Sequence, residues 1–203
     1  TFVLLISSVG FGLFGELPSF RDLENPKSNL ATEVISSDGN ILGTYFIQNR
    51  SNAKYKDLSP NLVNALIATE DVRFYKHSGV DLKGTFAIIF YSAIGKKRGS
   101  STITQQLAKN LFPRKKQNIF NIGIIKLKEW LTAVKIERNY TKEEIITMYF
   151  NTVDFGSNSY GIKAAAKTYF SKTPIKLSID ESALLVGILK GTTVFSPIKN
   201  PER

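Results

Sequence analysis

Ser59-Pro60-Asn61-Leu62-Val63-Asn64-Ala65-Leu66-Ile67-Ala68-Thr69-Glu70-Asp71 is the stretch at which the chain turns helical. Ser59 is an N-cap residue, and Pro60 takes the first helical position, where its missing N–H is no loss. Leu62, Val63, Leu66 and Ile67 then share one apolar face, and the helix ends on two adjacent carboxylates, Glu70 and Asp71. Downstream, Thr141-Lys142-Glu143-Glu144 and Ser178-Ile179-Asp180-Glu181 are capping boxes that open two further helices. Between them and Ser59, the stretch from Asn118 to Arg138 carries Leu127, Leu131 and Val134 at helical spacing, with no Gly or Pro after Gly123. Ala164, Ala165 and Ala166 allow close helix packing. Residues 58–203 therefore read as one mainly α domain.

Upstream the pattern differs. Glu33–Ser36 and Ile41–Ile47 flank Asp38-Gly39-Asn40, which predicts a small β-hairpin. Leu17–Lys27, with Pro18, Pro26 and mixed charges, reads as a linker, so residues 17–57 form a juxtamembrane linker and hairpin. The first fifteen residues are uncharged and mostly apolar, shorter than the roughly 20 residues a spanning helix needs. Residues 1–16 read as the outer end of a truncated transmembrane anchor. A cleaved signal peptide is the alternative, although no small-residue cleavage pattern precedes Glu16-Leu17-Pro18.

Composition excludes several classes. With no cysteine among 203 residues there is no disulfide, thiolate metal site or Cys nucleophile, and the single histidine, His77, argues against a polyhistidine zinc site. The net charge of +10 is concentrated: Lys96–Arg138 holds eleven Lys/Arg against two Asp/Glu, and the rest of the chain is nearly balanced. Such a stretch suits a polyanion: nucleic acid, anionic lipid or a pyrophosphate substrate. Phe112, Phe120 and Trp130 are its only aromatics and no nucleic-acid motif is present, so nucleic acid is the weakest of the three. Leu82–Ile94 is apolar, too short to span a bilayer, and runs into Lys96-Lys97-Arg98. It fits insertion at a membrane interface or an ordinary buried helix.

Three local patterns carry chemistry. Glu70 and Asp71 lead into Val72-Arg73-Phe74-Tyr75-Lys76-His77-Ser78-Gly79, and adjacent carboxylates on a helix point in different directions. One of them beside aromatic rings could serve as an acid or base; His77 reads better as a turn histidine bonding the backbone. Gly99-Ser100-Ser101-Thr102 leads into Ile103-Thr104-Gln105-Gln106-Leu107. Ile103, Leu107 and Leu111 form an apolar row there, and Thr102, Gln106 and Lys109 a polar one. Free N–H groups and hydroxyls at that helix start would suit a phosphate, although it is not a Walker loop. In Lys126-Leu127-Lys128-Glu129, Lys126 and Glu129 share a face, as a surface salt bridge or as a phosphate-facing cation with a second carboxylate.

Taken in order, these segments resemble the family 51 glycosyltransferases, the polymerase domain of class A penicillin-binding proteins and of monofunctional peptidoglycan transglycosylases. The motif Glu-Asp-x-x-Phe-x-x-His-x-Gly is met by Glu70, Asp71, Phe74, His77 and Gly79. The motif Gly-Gly-Ser-Thr-Ile-Thr-Gln-Gln is met at Gly99 and from Ser101 to Gln106, with Ser100 in place of a Gly. Arg-Lys-x-x-Glu is met at Lys126 and Glu129, with Ile125 at the Arg position. Later segments, from Glu144 to Phe170 and from Glu181 to Pro201, resemble the fourth and fifth motifs, with Thr147 in place of a Glu.

The resemblance implies a lysozyme-like α-helical fold at the outer face of the cytoplasmic membrane. Its activity would be the polymerisation of lipid II into β-1,4-linked glycan strands of the bacterial cell wall. Glu70 and Glu129 would be the catalytic residues. Asp71, Phe74, His77, Ser101, Thr102, Gln106, Lys109, Lys126 and Arg138 would serve substrate binding. The implied partners are lipid II, lipid-linked nascent glycan, the membrane and a transpeptidase domain in a longer parent. A divalent cation, Mg2+ or Mn2+, would accompany the pyrophosphate, with no organic cofactor. A lysozyme-type hydrolase would share the fold but need no anchor and no basic donor cleft.

Overall fold

Helices dominate the chain, as its capping signals predict. The structure, a computed structural model, describes residues 7–13, 17, 32–38, 41–45, 52–85, 101–112 and 122–202. In chain order the elements are strands β1 (Thr32–Ile35) and β2 (Ile41–Tyr45), then helices α1 (Pro60–Glu70), α2 (Ile103–Leu111) and α3 (Ile122–Asn139). They are followed by α4 (Lys142–Thr152), α5 (Ile162–Phe170) and α6 (Ile179–Ile188). Contacts divide the chain into two compact units, residues 1–26 with 70–145 and residues 27–69 with 146–203. The chain passes between them within α1 and within α4.

The first unit is built on α2 and α3. Ile103, Leu107 and Ala108 of α2 are buried, as are Leu127, Ala133 and Ile136 of α3 and Phe74 of the loop that follows α1. Each fully buried side chain of Leu, Ile or Phe size removes enough apolar surface from water to contribute about 1.5–3 kcal/mol. In the expected apolar row, Ile103 and Leu107 are fully covered and Leu111 is half-buried. The helix predicted over Asn118–Arg138 is described from Ile122 onward.

In the second unit, Leu62, Val63 and Leu66 are the buried face of α1, and Ile67 is only half-buried. Ser59 Oγ accepts the Asn61 N–H at 3.2 Å, the expected cap, and also donates to Leu177 O at 3.1 Å. The three alanines of α5 are buried, and Gly161 ahead of them has φ +81°. A Cβ at Gly161 would lie 3.0 Å from Asn151 O, so the absence of a side chain is what permits this approach. Asn151 also clamps the segment before α1: its Oδ1 accepts from Ala53 N at 2.8 Å and its Nδ2 donates to Ala53 O at 2.9 Å. β1 and β2 pair antiparallel, with Thr32 opposite Tyr45 and Val34 opposite Gly43. Residues 39–40 of the expected turn lie outside the described residues.

Two apolar stretches are described only in part. Within residues 1–16 the described positions are 7–13, of which 7–10 are helical, with Val9 buried and Phe11 and Leu13 exposed. Of Leu82–Ile94 only 82–85 are described; the rest, with Lys96–Arg98, lies outside. Among the described residues, no helix is long and apolar enough to cross a membrane.

Both predicted capping boxes form. Thr141 N donates to Glu144 Oε2 at 2.7 Å and Glu144 N to Thr141 Oγ1 at 3.3 Å. Ser178 N donates to Glu181 Oε2 at 2.9 Å and Glu181 N to Ser178 Oγ at 3.3 Å. The Ser178 cap lies at the surface, so its loss leaves no buried orphan. Ser178→Ala is expected to cost about 1 kcal/mol, read by calorimetry as a Tm lowered by about 2–4 °C in a chain of this size.

Candidate active site

Backbone N–H groups at a helix start have no partner within the helix and attract an anion. At α2 that anion comes from the protein itself. Ile103, the first residue of the helix, donates its N–H to Asp71 Oδ2 at 3.1 Å. The Thr102 hydroxyl caps the same turn by accepting from Gln105 N at 3.1 Å. The sequence predicted free N–H groups here, suited to a phosphate. Two of those donors are instead satisfied internally, by a carboxylate 32 residues upstream and by the cap.

Asp71 has a second partner. His77 Nε2 lies 2.9 Å from Asp71 Oδ2 and 3.1 Å from Oδ1. His77 Nδ1 accepts the Gly79 N–H at 3.2 Å, which assigns the ring proton to Nε2 as donor to the carboxylate. His77 is thus a turn histidine bonding the backbone. The turn is held again where the Thr102 hydroxyl donates to Gly79 O at 2.7 Å. Gly79 has φ +92°, and a Cβ there would fall 2.8 Å from the Ala133 backbone, so this close approach requires glycine. Phe74 is fully buried, edge-on to the rings of Tyr75 and His77, which places it in the core of the turn rather than on its surface.

Glu70 points elsewhere. Its Oε2 accepts from Gln106 Nε2 at 2.8 Å, and the side chain is half-exposed. Gln105, next in the chain, is buried, so the two glutamines divide between core and site. The adjacent carboxylates therefore have separate surroundings: Asp71 is enclosed by the loop and the start of α2, and Glu70 lies against the polar row of α2.

A second polar group joins the lead-in of α2 to α3. Lys126 Nζ donates to Ser101 Oγ at 2.9 Å and to Glu129 Oε2 at 3.0 Å. The Glu129 side chain is only 8% exposed, against 34% for Lys126. This is more than a surface pair, because a carboxylate so covered needs its cation. Lys109 and Arg138 are exposed.

One cluster was not foreseen. Glu137, whose side chain is 5% exposed, lies 2.8 Å from Lys142 Nζ, and the Thr104 hydroxyl donates to Glu137 Oε1 at 2.6 Å. Lys142 Nζ also donates to His77 O at 2.7 Å and lies 4.2 Å from the Phe74 ring centroid. The available signal was Lys142 itself, a cation at the first residue of a helix, where the dipole disfavours one.

The loop is anchored at its far end by Arg73, which binds Asp81 through Nε at 2.8 Å and Nη2 at 2.6 Å. Asp81 Oδ1 accepts the Gly84 N–H at 3.0 Å. Burial works to raise the Asp81 pKa, but the Arg73 hydrogen bond, the Gly84 N–H and the Arg73 charge outweigh it and hold the carboxyl below its usual value.

The sequence pattern of the transglycosylase family matches residues 38–203. Penicillin-binding protein 1A of Neisseria flavescens is 38% identical over 192 residues, covering 94% of this chain and 24% of that protein. Penicillin-binding protein 1A of Aquifex aeolicus is 39% identical over 193 residues, with 94% and 26% covered. The protein of that name from Neisseria cinerea is 37% identical over 192 residues, with 94% and 24% covered. The chain spans about a quarter of the length of these curated relatives.

The Asp81 carboxylate makes the stability of the folded chain fall in acid. Its folded pKa is lowered, so the stability it contributes is complete above its unfolded value, about 3.9, and is lost as pH falls through the folded value. Urea midpoints of the chain and of Asp81→Asn should differ by a constant amount from pH 5 to 7 and converge below about pH 3.9.

Proposed function

Because the chain belongs to the transglycosylase family, we propose that it is a peptidoglycan glycosyltransferase that polymerises lipid II into β-1,4-linked glycan strands. The observation that carries this reading is the half-exposed Glu70 carboxylate, held among the described residues by Gln106 at 2.8 Å through Oε2. Gln106 fixes the rotamer and leaves Oε1 to take a proton. The proton would come from the C4 hydroxyl of the acceptor's N-acetylglucosamine. The resulting oxygen nucleophile attacks the anomeric carbon of the donor N-acetylmuramic acid from the face opposite the lipid, the α linkage inverts to β, and undecaprenyl pyrophosphate leaves. A base that deprotonates the nucleophile and forms no covalent bond to the sugar fits a single displacement.

Negative charge grows on the departing pyrophosphate, and a fixed cation nearby lowers the barrier more than mobile solvent would. Lys126 is proposed for this role. Ser101 and Glu129 hold its ammonium in place from two sides, and Glu129 supports the chemistry through Lys126. Lys109 and Arg138, both exposed, would meet more of the lipid-linked donor. Asp71, His77, Thr102 and Phe74 are read as shaping this site through the loop and α2. No group of three His, Asp or Glu side chains that could hold a metal ion occurs among the described residues. A divalent cation, Mg2+ or Mn2+, is proposed to accompany the pyrophosphate of the donor.

The proposal also takes in the lysozyme-like arrangement, the location at the outer face of the cytoplasmic membrane, the anchor at residues 1–16, the interfacial segment Leu82–Ile94, and a transpeptidase domain in a longer parent. All of these rest on the resemblance and on the apolar and basic patterning of the sequence.

The purified chain, in detergent with lipid II, should form glycan polymer. Glu70→Gln, nearly isosteric, should abolish polymerisation with the fold intact, and near-normal turnover by that variant would sink the assignment. Lys126→Ala should slow turnover by about 10²–10³-fold, the cost of removing one transition-state charge contact. A loss no larger than that of Lys128→Ala would remove Lys126 from the donor site.

A further inference from the structure

Besides the Thr102 hydroxyl bond to Gly79 O, two clips join the loop after Glu70 to α2. One clip is Asp71, which joins His77 to the Ile103 N–H. The other is centred on Glu137 and Lys142, two residues outside the motifs that carry the resemblance. Glu137 Oε1 accepts from Thr104 of α2 at 2.6 Å and from Lys142 Nζ at 2.8 Å. The same ammonium donates to His77 O at 2.7 Å and sits over the Phe74 ring. His77 is thus held from both sides, through its ring by Asp71 and through its carbonyl by Lys142.

This second clip is a poor way to obtain stability. Glu137 is almost fully covered, and taking an ion pair out of water offsets most of its attraction; an apolar pair of the same volume is often at least as stable. Lys142 also stands at the first residue of α4, against the helix dipole. What the ion pair supplies that an apolar pair cannot is direction: ammonium N–H bonds aimed at one carbonyl and one carboxylate, and a charge over one ring. These fix the backbone of the turn between Phe74 and Gly79, which begins four residues past Glu70.

We propose that Lys142, acting with Glu137, is a positioning residue that fixes the loop following Glu70 on the helix bearing Gln106, so that the carboxylate keeps its catalytic orientation. The inference rests on Glu70 as the general base of the proposed reaction. Lys142 touches no reacting atom; its effect runs through His77 and Phe74.

The test uses three variants of the chain: Lys142→Met, Lys142→Arg, and Lys142→Met combined with Glu137→Gln. The double variant leaves no unpaired buried charge and keeps an oxygen for Thr104. Lipid II turnover is measured well below the unfolding temperature, with amide exchange of residues 71–79 and of the α3 interior followed by mass spectrometry. Lys142→Met should lower kcat by about 10–100-fold, the scale of a small misplacement of a catalytic group, with KM for lipid II nearly unchanged. Exchange should quicken in 71–79 but not in α3. Lys142→Arg should recover much of the rate, and the double variant should be no slower than Lys142→Met alone, because both break one link. Unchanged turnover per folded molecule, or exchange that quickens equally in α3, would overturn the proposal. Should the parent chain fail to polymerise lipid II, the functional reading has failed and exchange alone decides. Selective loosening of 71–79 then upholds the clamp, and uniform or absent change rejects it.

Discussion

The contact on which the site depends is the Asp71 carboxylate at the start of α2. A helix start is an incomplete structure with exposed donors and partial positive charge, and it draws in an anion. By meeting Ile103 N with its own carboxylate, the chain ties the end of α1 to the start of α2 at one point. The remaining contacts of the loop follow. His77 completes the Asp71 carboxylate, Gly79 N completes the His77 ring, and the Thr102 hydroxyl completes the Gly79 carbonyl. Each bond leaves a polar group that needs the next, and only glycine fits where the loop closes on α3. With Asp71 turned inward, Glu70 is left on the other side, beside Gln106.

Two neighbouring acids therefore have different surroundings, and the proposed chemistry falls to one of them. Asp71 is buried and its described donors are two, His77 Nε2 and the Ile103 N–H. Among the described residues, Glu70 is half-exposed with one donor, an arrangement suited to the proposed proton exchange with a bound hydroxyl. Glu129 is a third case: covered like Asp71, but paired with a cation that also reaches Ser101. In that pair the carboxylate is covered and the lysine more exposed, and the lysine is the group proposed to meet the donor.

Much of this was legible in the sequence wherever the signal is local. Capping boxes at Thr141 and Ser178, the cap and proline before α1, and the shared face of Lys126 and Glu129 depend on residues a few positions apart, and each occurs as predicted. The different directions of Glu70 and Asp71 follow from helical geometry alone. What was not legible is long-range pairing of polar groups. The start of α2 reads as open to phosphate because nothing near it in sequence is an acid; its acid comes from 32 residues earlier. In the sequence Lys142 is only one residue of a capping box, while its partners are His77 O, 65 residues away, and Glu137 on another helix. Phe74 sits in a motif of functional residues, yet its contacts are those of a core side chain.

The central claim, that Asp71 secures the start of α2 and thereby frees Glu70 for chemistry, is tested most directly by NMR-detected exchange of the Ile103 amide. A first-turn amide with no partner exchanges freely, so protection at this position reports the Asp71 bond. The account predicts slow exchange at Ile103 in the chain and in Glu70→Gln, and fast exchange in Asp71→Ala while the interior of α3 stays protected. Fast exchange at Ile103 in the unmodified chain, or slow exchange that survives Asp71→Ala, would contradict it.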